Sequence, residues 1–130
     1  MENRLHHVAL GARDVERVAA FYRDLLGLPE VARHLGADGS LRSVWLDLDG
    51  TVLMIERSGE SPRRVAGVGC GPFLLALALT PEECAACERS LASAGVPIEA
   101  RTEHSRYFRD PEGNRVAVSS HPLVEPSFDT

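Results

Sequence analysis

Hydrophobic positions recur along the chain in an order that appears twice. Residues 5–27 read as a short alternating strand followed by a helix, and residues 73–95 repeat that order. In the first copy, apolar side chains at helical spacing begin after Asp14 and end before Gly27. Aspartate is a preferred N-cap residue, and glycine adopts the left-handed backbone that closes a helix. The repeat predicts two modules of the same fold.

The second helix has stronger end signals than the first. Thr80 and Glu83 have the spacing of a capping box, with Pro81 at the first helical position, and Gly95 follows the last apolar turn. Cys84 and Cys87 share one stripe of this helix with Leu91. Their C-x-x-C spacing also occurs in redox and zinc sites, but a stripe inside a helix favours core packing.

Each helix is followed by segments in which hydrophobic and polar residues alternate, separated by turn residues. They predict three strands in the first module, near 30–35, 40–48 and 51–57, and three in the second, near 98–102, 104–109 and 114–120. Asp110–Gly113 predicts a tight hairpin, because proline presets one turn angle and glycine accepts a positive φ. The predicted fold is α+β, with two β-α-β-β-β modules whose sheets lie side by side and bury their apolar faces.

The length suits one domain of this kind. At 130 residues the chain can bury a core but has little room for a second domain. We expect module one at about 1–58, a linker rich in Gly, Ser, Pro and Arg at about 59–71, module two at about 72–122 and a tail at 123–130.

Charge and hydropathy exclude several classes of partner. A net charge of −5 disfavours binding to nucleic acid, which requires a concentrated positive surface. The longest apolar run, Phe73–Leu79, is too short to span a bilayer, and the N-terminus lacks an apolar signal core. With three cysteines and no disulfide framework, these features predict a cytoplasmic protein without a membrane or nucleic-acid partner.

Two segments carry a family resemblance. HVALGARDVERVAAFYRDLLGL and YFRDPEGNRVAV resemble the opening and closing signatures of the vicinal oxygen chelate superfamily. This superfamily includes glyoxalase I, the bleomycin resistance proteins, extradiol dioxygenases, methylmalonyl-CoA epimerase and fosfomycin resistance proteins. The resemblance implies a cup built from two β-α-β-β-β modules, often within a homodimer, with a small molecule bound inside.

The resemblance also implies where a divalent metal would be held. Family ligands are His, Glu or Gln on the first and last strands of each module, and His7 matches the first of these positions. The fourth strand offers either Met54 or Glu56, depending on its register. In module two, Phe73 or Leu75 stands at the counterpart of His7, and neither can bind a metal.

The closing motif lacks a second ligand. Family members often carry a glutamate where this chain has Ala117. We therefore expect no metal at the usual position and assign no cofactor. A displaced divalent-metal site would have to use His7, Glu56 and His121, and a shift of four residues along a strand moves a side chain by roughly 13 Å.

Three functional hypotheses remain open at this level, the third being an interaction or regulatory protein that uses the fold structurally. In the first, the protein binds and sequesters a hydrophobic or cationic small molecule without a metal, in a pocket containing Trp45, Met54, Phe73, Leu75 and Tyr107. Arg109, or Arg106 beside it, could hold an anionic group, and Phe73 and Leu75 could equally belong to the core. In the second, the protein is a lyase, isomerase or dioxygenase that uses a displaced metal or His7 as a general base beside Glu56.

Overall fold

The computed structural model describes residues 3–123 of the protein. Its helices and strands follow the repeated order of the sequence. They are β1 (His7–Ala12), α1 (Val15–Ala20) continued by a π-helical turn (Phe21–Leu25), β2 (Glu30–Leu35), β3 (Leu41–Leu48), β4 (Thr51–Arg57), β5 (Leu75–Ala78), α2 (Pro81–Ser93), β6 (Ala100–Arg101), β7 (Ser105–Arg109) and β8 (Arg115–Ser119). The predicted α+β fold with two β-α-β-β-β modules is confirmed. The strand expected at 98–102 is only two residues long.

Each module forms its own four-stranded mixed sheet. The strand order is β1-β4-β3-β2 in module one and β5-β8-β7-β6 in module two. The first strand of each module pairs in parallel with the last, and the remaining pairs are antiparallel. Both modules therefore place their first strand at one edge of the sheet.

The helix ends follow the capping residues. The Asp14 carboxylate accepts a hydrogen bond from the Arg17 backbone N–H at 3.1 Å, and Thr80 and Glu83 form both bonds of a capping box. The first helix departs from the expected regular form, because it widens into a π-helical turn before Gly27. In this turn two residues adjacent in sequence, Phe21 and Tyr22, are both buried.

One hydrophobic core joins the two modules. Val44 and Ile55 of the first sheet are fully buried on the side where α1 packs, and Phe21 meets Phe108 of module two with ring centroids 6.1 Å apart. Cys84 and Cys87 are buried in the same core, as the stripe on α2 predicted. Burial raises the pKa of both thiols, that of Cys87 to about 11.

The segment between Arg57 and Leu75 contains no strand or helix in the described structure and lies partly against module two. Arg64 pairs with Glu99 at 3.1 Å, and the Val65 carbonyl accepts a hydrogen bond from Arg109. All three cysteines are free. None of the helices between residues 3 and 123 has the length and apolar character needed to cross a membrane. The predicted tail from residue 123 onward lies outside the described residues, except for Leu123.

Candidate functional site

Each sheet has one side that packs against the core and an opposite side that faces away from the helices. In module one, Val44 and Ile55 point into the core. Because strand side chains alternate, Trp45 and Glu56 point to the opposite side. We call this opposite side the cup face of its module.

The strand register assembles two rows of side chains on the cup face of module one. Glu56 lies opposite Ser43, and Ser43 lies opposite His34, so these three residues form a row across β4, β3 and β2. Met54 lies opposite Trp45 in the adjacent row. The His34 and Trp45 rings make an edge contact with centroids 4.7 Å apart. The structure thus brings Trp45, Met54 and Glu56, all singled out from the sequence, onto one surface.

Three polar atoms on this face are buried without a hydrogen-bond partner among the described residues. They are His34 Nε2, Ser43 Oγ and Trp45 Nε1. Ser43 is only 1% exposed. A buried polar atom without a partner destabilises a fold by roughly 1–3 kcal/mol, and native proteins contain few of them. Three such atoms on neighbouring strands mark a polar surface that residues 3–123 do not satisfy.

His7 lies at the other end of the cup face. It is exposed at the start of β1, where its Nδ1 is 2.9 Å from His6 Nδ1, and it is level with Val52 on β4. Glu56 is level with Gly11, four residues farther along the paired strands, or roughly 13 Å away. The structure does not bring His7 and Glu56 of one chain together as a base and its carboxylate.

The cup face of module two is centred on Ala117. Tyr107 on β7 and Ala76 on β5 flank it in register. Arg115, two residues before Ala117, places its guanidinium carbon 4.6 Å from the centroid of the Tyr107 ring. Its Nε is buried and has no hydrogen-bond partner among residues 3–123.

The two arginines considered from the sequence have carboxylate partners. Arg109 Nε donates to both oxygens of Glu99, at 3.1 and 3.0 Å. Arg106 points to the core side of its sheet and donates to Glu88 on α2 at 3.2 Å. Hydrogen bonds from Arg101 and Arg106 lower the pKa of Glu88. Unlike these two, Arg115 forms no ion pair with any residue that the structure describes.

Phe73 and Leu75 lie where the modules meet. Leu75 is level with the buried Val116 and packs against the core, so it does not share the face of Ala117. Both residues line a cavity of about 340 Å³, which we call the seam cavity. Its walls are formed by Val8, Leu10, Val65, Pro72, Phe73, Leu74, Leu75, Asn114 and Arg115.

His121 is separated from the other weak metal candidates. It is exposed after the end of β8, and its ring makes an edge contact with His104 at a centroid distance of 5.3 Å. Within the described part of the chain, no group of three His, Cys, Asp or Glu side chains could hold a metal ion.

Comparison with known proteins identifies the family. Residues 4–118 match the family model of the Glyoxalase/Bleomycin resistance protein/Dioxygenase superfamily. The chain belongs to this superfamily. No curated protein sequence matches the chain.

Solved structures of the superfamily share its fold. A mutant of the fosfomycin resistance protein FosX from Listeria monocytogenes, complexed with Mn(II) and a dihydroxypropylphosphonic acid, is 20% identical with a TM-score of 0.77, covering 95% of this chain and 96% of that one. A lactoylglutathione lyase from Agrobacterium tumefaciens is 25% identical with a TM-score of 0.67, covering 91% and 93%. A glyoxalase/dioxygenase from Nostoc punctiforme is 22% identical with a TM-score of 0.74, covering 88% of each chain.

The side chains at and beside Ala117 cannot bind the metal ion that such folds often hold. Ala117 occupies the usual glutamate position, is 1% exposed and has the side chain of Ala76 on one side and Tyr107 on the other. Divalent ions in proteins are held by imidazole, carboxylate or thiolate groups, and neither alanine carries one. His7, which the resemblance assigned to a ligand position, is exposed at the start of β1.

Sequence reasoning missed three residues of the candidate surfaces, namely His34, Ser43 and Arg115. Alternation along each strand puts Ser43 on the side of Trp45 and Arg115 on the side of Ala117, so a signal existed. Their lack of partners could not be read from alternation, because it depends on which strands pair and in which register.

Proposed function

We propose that this superfamily member binds and sequesters a small molecule on the cup face of module one, without a metal ion. The observation that carries the proposal is the set of three buried polar atoms, on His34, Ser43 and Trp45, that have no partner among the described residues. Burying these atoms without hydrogen bonds destabilises the free protein. A ligand that hydrogen-bonds to them removes that free-energy cost. Small-molecule sites commonly combine apolar walls with a few polar groups of this kind.

The residues define the chemistry of the ligand. The indole N–H of Trp45 is a donor only and needs a ligand acceptor, whereas the Glu56 carboxylate accepts hydrogen bonds and attracts a cation. Met54 beside Trp45 supplies an adaptable apolar contact. An aromatic or cationic ring compound carrying a carbonyl or hydroxyl group meets these requirements, and the net charge of −5 favours the cationic forms.

Binding requires a local rearrangement. The three atoms are out of reach of solvent in this conformation, so neighbouring side chains must turn aside before a ligand can contact them. Side-chain changes of this size are common on binding and leave the backbone in place. We therefore expect ligand association that is slower than diffusion but needs no movement of the modules.

We also propose a homodimer in the cytoplasm. β1 and β5 each pair on one side only within the described sheets. An edge strand presents unpaired backbone groups that a second copy can cover. Three free cysteines suit a reducing compartment. Light scattering after size exclusion should give a mass about twice the chain mass of 14.1 kDa.

The single tryptophan makes the binding proposal directly testable. Because Trp45 is the only tryptophan, its fluorescence reports on the proposed surface alone. Titration with a panel of cationic and neutral aromatic compounds should give saturable quenching at one compound per chain. Ser43→Ala should weaken that binding, whereas Ser61→Ala, an exposed linker serine, should leave it unchanged.

Two outcomes would argue against sequestration. The absence of saturable quenching across the panel would remove the binding surface from consideration. Turnover of a bound compound that disappears in His7→Ala would instead support the enzymatic hypothesis of a lyase, isomerase or dioxygenase. His7→Ala should leave binding at Trp45 intact, because Trp45 lies two strands away from His7 and level with Ala9 rather than with His7.

A further inference from the structure

A second ligand-sized space lies between the modules. The seam cavity has a volume of about 340 Å³, within the range of roughly 300–1,000 Å³ that is usual for small-molecule sites. Its lining is dominated by aliphatic and aromatic side chains, including Leu10 from β1 and Phe73 and Leu75 from the start of module two. It can hold an apolar group of moderate size.

One charged side chain lines this cavity, and it has no ion-pair partner. Arg115 is half-buried, and none of the ion pairs between described residues includes it. Its Nε is buried without an acceptor, while the guanidinium lies over the Tyr107 ring. An arginine is always charged, so a partly buried one without an anion is unfavourable unless a ligand supplies the anion.

The carboxylates near Arg115 are already engaged by other groups. Arg64 and Arg109 both pair with Glu99, whereas Arg115, level with Arg109 on the neighbouring strand, pairs with no carboxylate among residues 3–123. The nearby Asp110 carboxylate is occupied by Tyr22 and by the hairpin backbone, and it is 4% exposed. The Glu112 carboxylate of the same hairpin accepts hydrogen bonds from the backbone N–H groups of Arg13 and Asp14, so it too is engaged away from Arg115.

Stacking on Tyr107 prepares Arg115 for anion binding. A cation held over an aromatic face loses less conformational freedom when it forms further hydrogen bonds. Guanidinium groups bind carboxylates through paired, charge-assisted hydrogen bonds. The apolar walls and the single unpaired cation together specify a ligand with an apolar body and one carboxylate.

We propose that the seam cavity binds an apolar monocarboxylate, with Arg115 as its anion-binding residue. This site lies between the modules and uses none of the residues assigned to the cup face of module one. The seam-cavity proposal can therefore be tested independently of the sequestering function proposed above.

Calorimetric titration with phenylacetate tests the site, and 2-phenylethanol serves as its uncharged analogue. Phenylacetate should bind at one per chain and at least about tenfold more tightly than the alcohol. Arg115→Met should weaken phenylacetate binding about 10- to 100-fold, the loss expected for a hydrogen bond to a charged group. Arg89→Met removes the same charge from an exposed position on α2 and should change the affinity by less than about twofold.

Two further variants keep the test decisive. Phe73→Ala removes part of the apolar wall and should weaken phenylacetate and 2-phenylethanol to the same degree. Trp45→Phe should not affect phenylacetate, so loss of cup-face binding and loss of seam binding are told apart. Equal affinity for phenylacetate and 2-phenylethanol, no binding at millimolar concentration, or unchanged affinity in a folded Arg115→Met protein would each overturn the proposal.

Discussion

The Tyr22 hydroxyl donates a 2.7 Å hydrogen bond to Oδ2 of Asp110, and this bond ties the helix of module one to the β7–β8 hairpin of module two. Both residues are buried, and the same carboxylate accepts bonds from the backbone N–H groups of Glu112 and Asn114. The bond thus orients the closing motif against the opening motif across 88 residues of chain.

Removing this bond should destabilise the protein without altering the hairpin itself. Tyr22→Phe keeps the ring in the core but leaves one buried carboxylate oxygen with fewer donors, so the free energy of unfolding should fall by about 1–3 kcal/mol. Urea unfolding followed by far-ultraviolet circular dichroism measures the change. An unchanged midpoint would show that the bond contributes nothing to the joining of the modules.

The same tyrosine should make stability depend on alkaline pH. Burial, followed by the charge and hydrogen bond of Asp110, raises the pKa of Tyr22 well above its usual 10.0. The folded protein therefore keeps this proton while the unfolded chain releases it, so stability is complete below pH 10 and is lost as the pH rises further. The chain contains no lysine, and tyrosines and thiols dominate this range. The loss above pH 10 should be smaller in Tyr22→Phe than in the wild type.

Ser43→Ala should stabilise the protein while weakening ligand binding. The hydroxyl is buried and has no hydrogen-bond partner in the described part of the chain, so its removal should raise the free energy of unfolding by about 1 kcal/mol. Ser105→Ala is the matched control, because the Ser105 hydroxyl donates to Ser119 at 2.7 Å and its loss should lower stability. Urea titrations of the two variants should move in opposite directions. A destabilised Ser43→Ala protein would mean that the hydroxyl is satisfied in solution.

The metal content of the purified protein should be near zero. The donor set around Ala117 offers no carboxylate, and His7 alone binds a divalent ion weakly. Mass spectrometry of protein purified without chelator or affinity-tag histidines, normalised to chain concentration, gives the ratio. About one ion per chain, lost in His7→Ala, would contradict the metal-free proposal and indicate a site shared between chains.

The three thiols should differ in reactivity. Cys70 is exposed, whereas Cys84 and Cys87 are buried and their pKa values are raised by burial. Since the thiolate is the reactive form, a disulfide reagent at pH 8 should modify one thiol rapidly in the native protein and the other two only after unfolding. Rapid modification of all three would place α2 outside the core.

Local patterns predicted the order of the elements and the faces of the strands in module one. Caps at Asp14 and Thr80, glycines at Gly27 and Gly95 and strict alternation in the strands depend on residues a few positions apart, so they can be read before the chain is folded. Alternation likewise places Met54 and Glu56 on one face whichever register is chosen, and the structure confirms this.

What the sequence by itself determined was therefore the two-module plan and the shared face of Trp45, Met54 and Glu56, because both follow from local backbone geometry. The tertiary structure alone decided the register that separates His7 from Glu56. It also decided that Arg109 pairs with Glu99 while Arg115 pairs with no carboxylate among residues 3–123. These outcomes depend on contacts between distant parts of the chain, and several pairings were compatible with the same alternating pattern. The candidate site follows from that choice, since a polar atom is left without a partner only when the whole chain has formed its contacts.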